Sequence, residues 1–358
     1  MPKFFTRSCI VIFWILLIFG ILYFPRWSFV SKDEKSINIF AWGDIFDPAV
    51  IAQFEREHGI KVHLNYYSSN EELLVKLKAT GGLGYDLIVP SDYAIGHLIK
   101  ENLLKPLDRT KLDFWQHLNP LLLNHFFDPD NKYSIPFEWE LFGLGIDKDF
   151  FAGKNFTPSW KMIFDKNIID YNVTMINDPQ EAVLFASFYL YGPLHSITQA
   201  QTDAVRNLLL EQRSWVFAYA DFRADYFLAT RNCPVVIASS SYIWRSKRIF
   251  PFIGFAVPEE GTFLTIENLA IPKLTKKDPL VYEFINFLYE PQSVADHYHT
   301  YGFFPSTLHA LDLLDMDEDA KEFLYIPRDT FQKFYFFQNL MPEETIRNIW
   351  VEVKSKTY

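Results

Sequence analysis

The sequence predicts an α/β protein of two lobes, each a doubly wound sheet, and three observations predict it. Strand-like and helix-like stretches alternate as β-α-β-α-β from Ser36 to Leu104. A second alternation of strands and helices follows in the middle of the chain. No flexible or low-complexity linker separates the two, so the chain is expected to cross between lobes more than once.

The first alternation can be read residue by residue. "SINIFAW" is a strand, and Asp47-Pro48 opens a helix, with Asp47 as N-cap and Pro48 at the first helical position. Val50, Ile51 and Phe54 form its apolar face, and Gly59 ends it. "IKVHLNYY" alternates apolar and polar residues as a half-buried strand does. Ser69 and Glu72 read as a capping box for "NEELLVKLKAT", which Gly81-Gly82 stops. "YDLIVP" is a short buried strand, and "SDYAIGHLIKENLL" is a turn and helix.

The middle opens with "KYSIPFEWELFGLGID", a strand-rich stretch, and "SWKMIF" starts a short helix. "NVTMIND" is a strand feeding the helix "PQEAVLFASFYLYG"; "TDAVRNLLLEQR" is a further helix. "CPVVIASS", "FIGFAVP" and "ENLAIP" are strands, "DPLVYEFINFLYEPQSVADHYHTYG" is a helix pair, and "PEETIRNIWVEVKSK" is a capped amphipathic helix.

The 358 residues carry a formal charge of −10. Residues 1–35 are basic, with Lys3, Arg7, Arg26, Lys32 and Lys35 against Asp33 and Glu34, so the body is more acidic than the total. An acidic body argues against nucleic acid as partner, because its binders carry basic patches. Lys3 and Arg7 precede "CIVIFWILLIFGILYF", which Pro25 and Arg26 close. That pattern fits an export signal and is slightly short of the about 20 residues of a membrane-spanning helix. No small-x-small cleavage site follows, so an uncleaved anchor stays open. Cys9 lies in the wrong place for a lipid anchor. Cys233 is then the body's one thiol, read as a small buried residue. The nine histidines are scattered without metal-ligand spacing, and no phosphate-binding loop or Ser-His-Asp arrangement is visible. Neither a cofactor nor a metal is expected.

In open α/β sheets a ligand sits beyond the carboxyl ends of the strands. This chain places Trp42 and Asp44 there after the first strand, Ser91 and Tyr93 after "DLIVP", Asp178 and Glu181 after "NVTMI", and Glu267 at the entry to "ENLAIP". Carboxylates pair with ammonium groups, and aromatic faces attract cations and cover methylenes. The set suits an elongated organic cation. Each member has a plainer reading: Asp178 and Glu181 are also a good helix start, Trp42 is as readily core, and Ser91 and Tyr93 are turn and packing residues. Gly43, between Trp42 and Asp44, is expected to serve a tight turn and close backbone approach.

The series "FAWGDIFDP", "YDLIVPSDY", "FDPDNKYSIPFEW", "ENLAIP" and "FFQN" resembles the periplasmic spermidine/putrescine-binding proteins of polyamine ABC importers, from about Ile37 to the C-terminus. The resemblance implies the two-lobed periplasmic-binding-protein fold, with ligand held in a cleft between lobes joined by crossing strands. It implies a signal or anchor segment over residues 1–35 and lobe 1 beginning over 36–145. Lobe 2 then begins over 146–265, residues 266–311 return to lobe 1, and 312–358 complete lobe 2. It adds Phe303 and Gln338 to the ligand-binding set of Trp42, Asp44, Ser91, Tyr93, Asp178, Glu181 and Glu267. It also marks departures. Ile45 stands where the family has a tyrosine, Ser239 and Thr265 stand where it has tryptophans, and Phe303 lacks a tyrosine hydroxyl. The cleft is expected to be wider at Ser239 and Thr265 unless Phe263, Tyr242 or Trp244 refill it.

The expected function is capture of spermidine or putrescine outside the cytoplasm and delivery to an inner-membrane ABC permease. The protein would be a periplasmic monomer, free or anchored, and not an enzyme. Four acids favour the triamine. Alternatives are agmatine or a cationic amino acid as ligand, a membrane-tethered polyamine sensor, and an enzyme using Asp178 and Glu181 as acid and base. A ligand carboxylate would call for an arginine in the cleft, and no expected site residue is one.

Overall fold

A computed structural model of the chain describes residues 35–43, 45–316 and 318–355, together with Trp14. The expected signal or anchor segment lies outside the described residues apart from Trp14 and Lys35, and so does Asp44. Among the described residues no helix is long and apolar enough to cross a membrane.

The strands are β1 (Ser36–Trp42), β2 (Lys61–Tyr67), β3 (Leu87–Ile88), β4 (Ser134–Asp147), β5 (Val173–Ile176), β6 (Val216–Ala220), β7 (Val235–Ser239), β8 (Ile253–Ala256), β9 (Thr262–Ala270), β10 (Phe304–Pro305) and β11 (Phe334–Phe336). They join in the order β2-β1-β3-β9-β4-β7-β5-β6, with β8 and β10 on β4 and β11 on β9. The pairing of β1 with β3 is parallel, as are those of β5 with β6 and β7. Strand β9 runs antiparallel to β3 and β4, and β4 antiparallel to β7. Two doubly wound halves are thus joined through β9 and β4.

Local signals explain the elements. Asp47 caps the Pro48–His58 helix by accepting from the Ala49 N–H at 2.7 Å, and Gly59 ends it at φ 67°, in the left-handed region where glycine is favoured. Half of the expected capping box forms at Ser69, which accepts from the Glu72 N–H at 3.2 Å. Glu72 returns its bond to the N–H and hydroxyl of Ser68, one residue early. A full capping box forms at Thr198 and Gln201, starting the Gln199–Gln212 helix ahead of the "TDAVRNLLLEQR" expected from sequence.

Each half buries its own apolar core. Ile39, Phe54, Leu87 and Phe284 pack on one face of the first half, and Phe40, Leu73, Leu98 and Ile266 on the other. Met175, Phe185, Leu209 and Ile237 form the second half's core. The 14 residues of β4 extend roughly 45 Å at about 3.3 Å per residue. That reach lets Ile135 and Trp139 serve the first half while Leu144 and Ile146 serve the second. Leu314, Leu324, Phe331 and Phe334 pack with Trp139 and Phe304, although 312–358 was expected in the second lobe. Only from Tyr335 onward, with Leu340, Ile346 and Ile349, does the C-terminus join the second core. Cys233 is buried beside Leu228 and Ile253, and burial pushes its thiol up to about 12.

Candidate functional site

The site begins with the register of β4 and β9. Glu138 lies opposite Glu267, Trp139 opposite Ile266, and Glu140 opposite Thr265. Side chains alternate along a strand, so Glu138, Glu140, Thr265 and Glu267 share one face. Those four line a cavity of about 510 Å³.

Glu267 is held at both oxygens. The Trp42 indole Nε1 donates to Oε2 at 2.9 Å, and the Ser91 hydroxyl donates to Oε1 at 2.6 Å. Ser91 precedes the Asp92–Lys100 helix, but its side chain makes no capping bond. Its hydroxyl is spent on Glu267 instead. Burial drives the Glu267 carboxyl well above the usual range, with Glu138 and Asp92 adding repulsion against the two hydrogen bonds. Asp92, itself buried, accepts from the Ile266 N–H at 2.7 Å and from the Thr265 hydroxyl at 3.3 Å. Burial still raises it to about 7. Tyr93 lines the cavity half-buried, its ring centre 5.3 Å from that of His97.

Two floor residues escaped the sequence reading. Glu138 is 1% exposed, its Oε2 meets Nε2 of His297, and its Oε1 has no hydrogen-bond partner among the described residues. Glu140 accepts from the Ser241 hydroxyl at 2.6 Å, and burial lifts it to about 7. The signal was present: "FEWEL" sets two acids at alternate positions of an otherwise apolar strand, where an unpaired charge is costly.

The facing wall comes from the second half. Asp178 caps the Pro179–Tyr191 helix, its Oδ1 accepting from the Gln180 N–H at 2.8 Å and the Glu181 N–H at 3.0 Å. It lines the cavity as well, so the capping and site readings are compatible. Glu181, half-buried, is pushed up to about 8 by burial first and then by Asp178 and Asp221. Phe222, Tyr242 and Phe337 supply rings to this wall. Arg223 also lines it, 5.3 Å from the Tyr242 ring centre, an arginine that was not among the expected site residues.

The fold therefore gathers Trp42, Ser91, Tyr93, Asp178, Glu181, Glu267 and Phe303 around one cavity. Asp44 lies outside the described residues. Gln338 does not line the cavity: its amide donates to the Leu194 carbonyl while neighbouring Phe337 turns inward, stacked 5.1 Å from Phe263. Thr265 lines the cavity, but Ser239 is fully buried with its hydroxyl 3.0 Å from that of Ser241, so no widening arises there. Of the rings expected to refill space, Tyr242 lines the cavity, whereas Phe263 and Trp244 are core. Gly43 has no left-handed φ, and a Cβ there would meet nothing within 4 Å, so it marks open space rather than a tight approach.

Known proteins share this arrangement of elements. The chain is 28% identical over 344 residues to the putrescine-binding periplasmic protein SpuD of Pseudomonas aeruginosa (strain UCBPP-PA14), covering 91% of this chain and 93% of that protein. It is 28% identical over 305 residues to the spermidine/putrescine-binding periplasmic protein of Salmonella typhimurium, covering 85% and 86%. A solved structure described as a putative spermidine/putrescine ABC transporter from Listeria monocytogenes superposes with a TM-score of 0.75 at 29% identity, covering 90% of this chain and 99% of that one. The family model for bacterial extracellular solute-binding proteins matches residues 49–323. With its two lobes, its cavity between them and this match, the chain belongs to the bacterial extracellular solute-binding protein family.

Proposed function

We propose that this protein captures a polyamine, spermidine or putrescine, outside the cytoplasm and hands it to an ABC import permease. The observation that carries the reading is the Glu267 carboxylate, fixed by Trp42 and Ser91 on the cavity floor and faced by Asp178 and Glu181. Carboxylates at both ends suit a molecule with an ammonium at each end, and the rings between them suit its methylenes. The relatives' names point to the same ligands. Family membership makes this a solute-binding protein rather than an enzyme. Asp178 and Glu181 accordingly serve as cation contacts, not as acid and base.

Ligand contacts on both walls would draw the lobes together about β4 and β9, and the closed form is what a permease would read. Residues 1–35 would direct export to the periplasm and serve as an anchor where left uncleaved, and the protein would act as a monomer. Calorimetric titration of the ligand-free protein with putrescine, spermidine, spermine, agmatine and lysine tests the reading. One-to-one binding of at least one polyamine is expected; binding of none overturns it. Arg223 favours a second reading, a cationic amino acid whose carboxylate meets the guanidinium, and tighter binding of lysine than of any polyamine would select it.

A further inference from the structure

The cleft floor holds more acid than the expected site residues supply. Glu138 and Glu140 occupy alternate positions of β4 and share a face with Glu267 of β9, and Glu138 stands directly opposite it. Directly opposed side chains have Cβ atoms about 4.5–5.5 Å apart, where like charges destabilise a sheet. A sheet keeps such a row only if protons or a cation offset it. The donors already present do not complete the row. His297 meets one oxygen of Glu138, and the other, in a side chain 1% exposed that lines the cavity, has no partner among the described residues.

The other charged groups near the row come from three sides. Asp92 lies behind Glu267 and adds negative charge. From the Ser240–Ile249 helix, Ser241 donates to Glu140, while the Arg245 guanidinium lies 4.1 Å over the Tyr242 ring and attracts Glu140 at longer range. Arg223 sits on the same Tyr242 ring, at 5.3 Å, and is exposed. Among the described residues no arginine bonds to Glu138 or Glu267, so the row faces the cavity as an incomplete set of acceptors.

We propose that Glu138 and Glu140, beside Glu267, form an additional ammonium subsite on the cleft floor, and that the ligand is therefore a polyamine with three or more amine nitrogens. The proposal rests on the polyamine reading. A diamine would span the Trp42-held Glu267 and the Asp178–Glu181 wall and leave the third acidic group, the Glu138–Glu140 floor, bare. A triamine or tetramine has a nitrogen for each. The raised proton affinities of Glu140 and Glu267 let the row hold protons at rest, and an arriving ammonium would displace them.

Calorimetry on the full chain with putrescine, spermidine and spermine tests this. The wild type is expected to bind spermidine at least about tenfold more tightly than putrescine. Glu140→Gln should weaken spermidine and spermine by about tenfold or more while changing putrescine by less than about twofold. Glu138→Gln should do the same, with ligand-free thermal unfolding measured beside it because it also removes the His297 pairing. If neither variant folds, titration of the wild type near pH 7 in buffers of different ionisation enthalpy decides: spermidine should release more protons than putrescine. Equal affinity for diamine and triamine, equal effects of Glu140→Gln on both, or equal proton release overturns the proposal. A wild type that binds none of the three overturns the polyamine reading itself.

Discussion

The indole of Trp42 donates to the carboxylate of Glu267 across 225 positions of sequence, tying the end of β1 to the middle of β9. Trp42→Phe keeps a ring and drops the donor. It should reduce polyamine affinity by about 0.5–1.5 kcal/mol, the net value of one hydrogen bond. Trp42→Ala should lose about 0.5–2 kcal/mol more by removing the aromatic face. Calorimetry gives the affinities, and ligand-free thermal unfolding separates packing from binding, since the ring also lies 4.6 Å from that of Tyr67. Unchanged affinity with a lowered melting temperature would make Trp42 a core residue.

Asp178 caps a helix and lines the cavity, and one substitution separates the two. Asn caps a helix as well as Asp does, so Asp178→Asn should leave ligand-free stability nearly unchanged. Affinity should fall by about 1.5–3 kcal/mol, the scale of a hydrogen bond to a charged group. A surface acid such as Glu318, largely exposed and paired with Lys321, is the control. Equal affinity in Asp178→Asn would leave the residue as a cap alone.

Restoring the two missing tryptophans should give opposite results. Ser239 is fully buried in a hydroxyl chain that reaches Glu140. Ser239→Trp should therefore overpack the core at a cost of about 1–3 kcal/mol or more in ligand-free stability. Thr265 faces the cavity, and Thr265→Trp should cost less stability, through the lost 3.3 Å bond to Asp92, and chiefly change ligand affinity. Chemical denaturation and calorimetry on both variants check this. A Ser239→Trp protein as stable as wild type would show room that the structure does not.

The cleft acids make stability and affinity run in opposite directions with pH. Glu181 rises to about 8 and Glu140 to about 7, both from an ordinary glutamate value of 4.5. Between about pH 4.5 and 8 the folded, ligand-free protein thus holds protons that the unfolded chain has lost. These acids stabilise the fold most below pH 4.5, and that contribution is lost as pH rises through 7 and 8. An ammonium ligand needs the ionised acids, so its affinity should climb over the same range. The rise should reach about tenfold per pH unit for each acid that must ionise. Thermal unfolding without ligand and spermidine titration, both across about pH 5–8.5, check the two slopes. Parallel slopes would mean that these acids do not meet the ligand.

Much of the fold was legible because its signals are local. Asp47-Pro48, Ser69, Asp178-Pro179 and the terminal glycines mark helix ends through bonds within a few residues. The parallel pairings followed from β-α-β alternation. The extent of β9 was less visible, since "ENLAIP" is only the end of a strand that starts at Thr262. What β9 pairs with is a long-range matter. The same limit explains the site. Trp42 and Ser91 each stood just after a strand, where a general rule places ligands, whereas Glu267, read at the entry to "ENLAIP", lies within β9. Glu138 and Glu140 stand mid-strand, and only their register against β9 exposes them to the cavity. Gln338 and Ser239 were assigned by likeness, and neighbouring contacts turned both away.

Because β4 and β9 are paired and run through both halves, the acids they carry would keep their mutual spacing in the proposed closure. The floor would then be the part of the cleft that a ligand meets in the same form before and after closure. Encounter would then be governed by the floor, whose charge sets the association rate and makes it sensitive to ionic strength. Retention would be governed by Asp178, Glu181 and the rings opposite, which engage fully only once the walls approach and so set the dissociation rate.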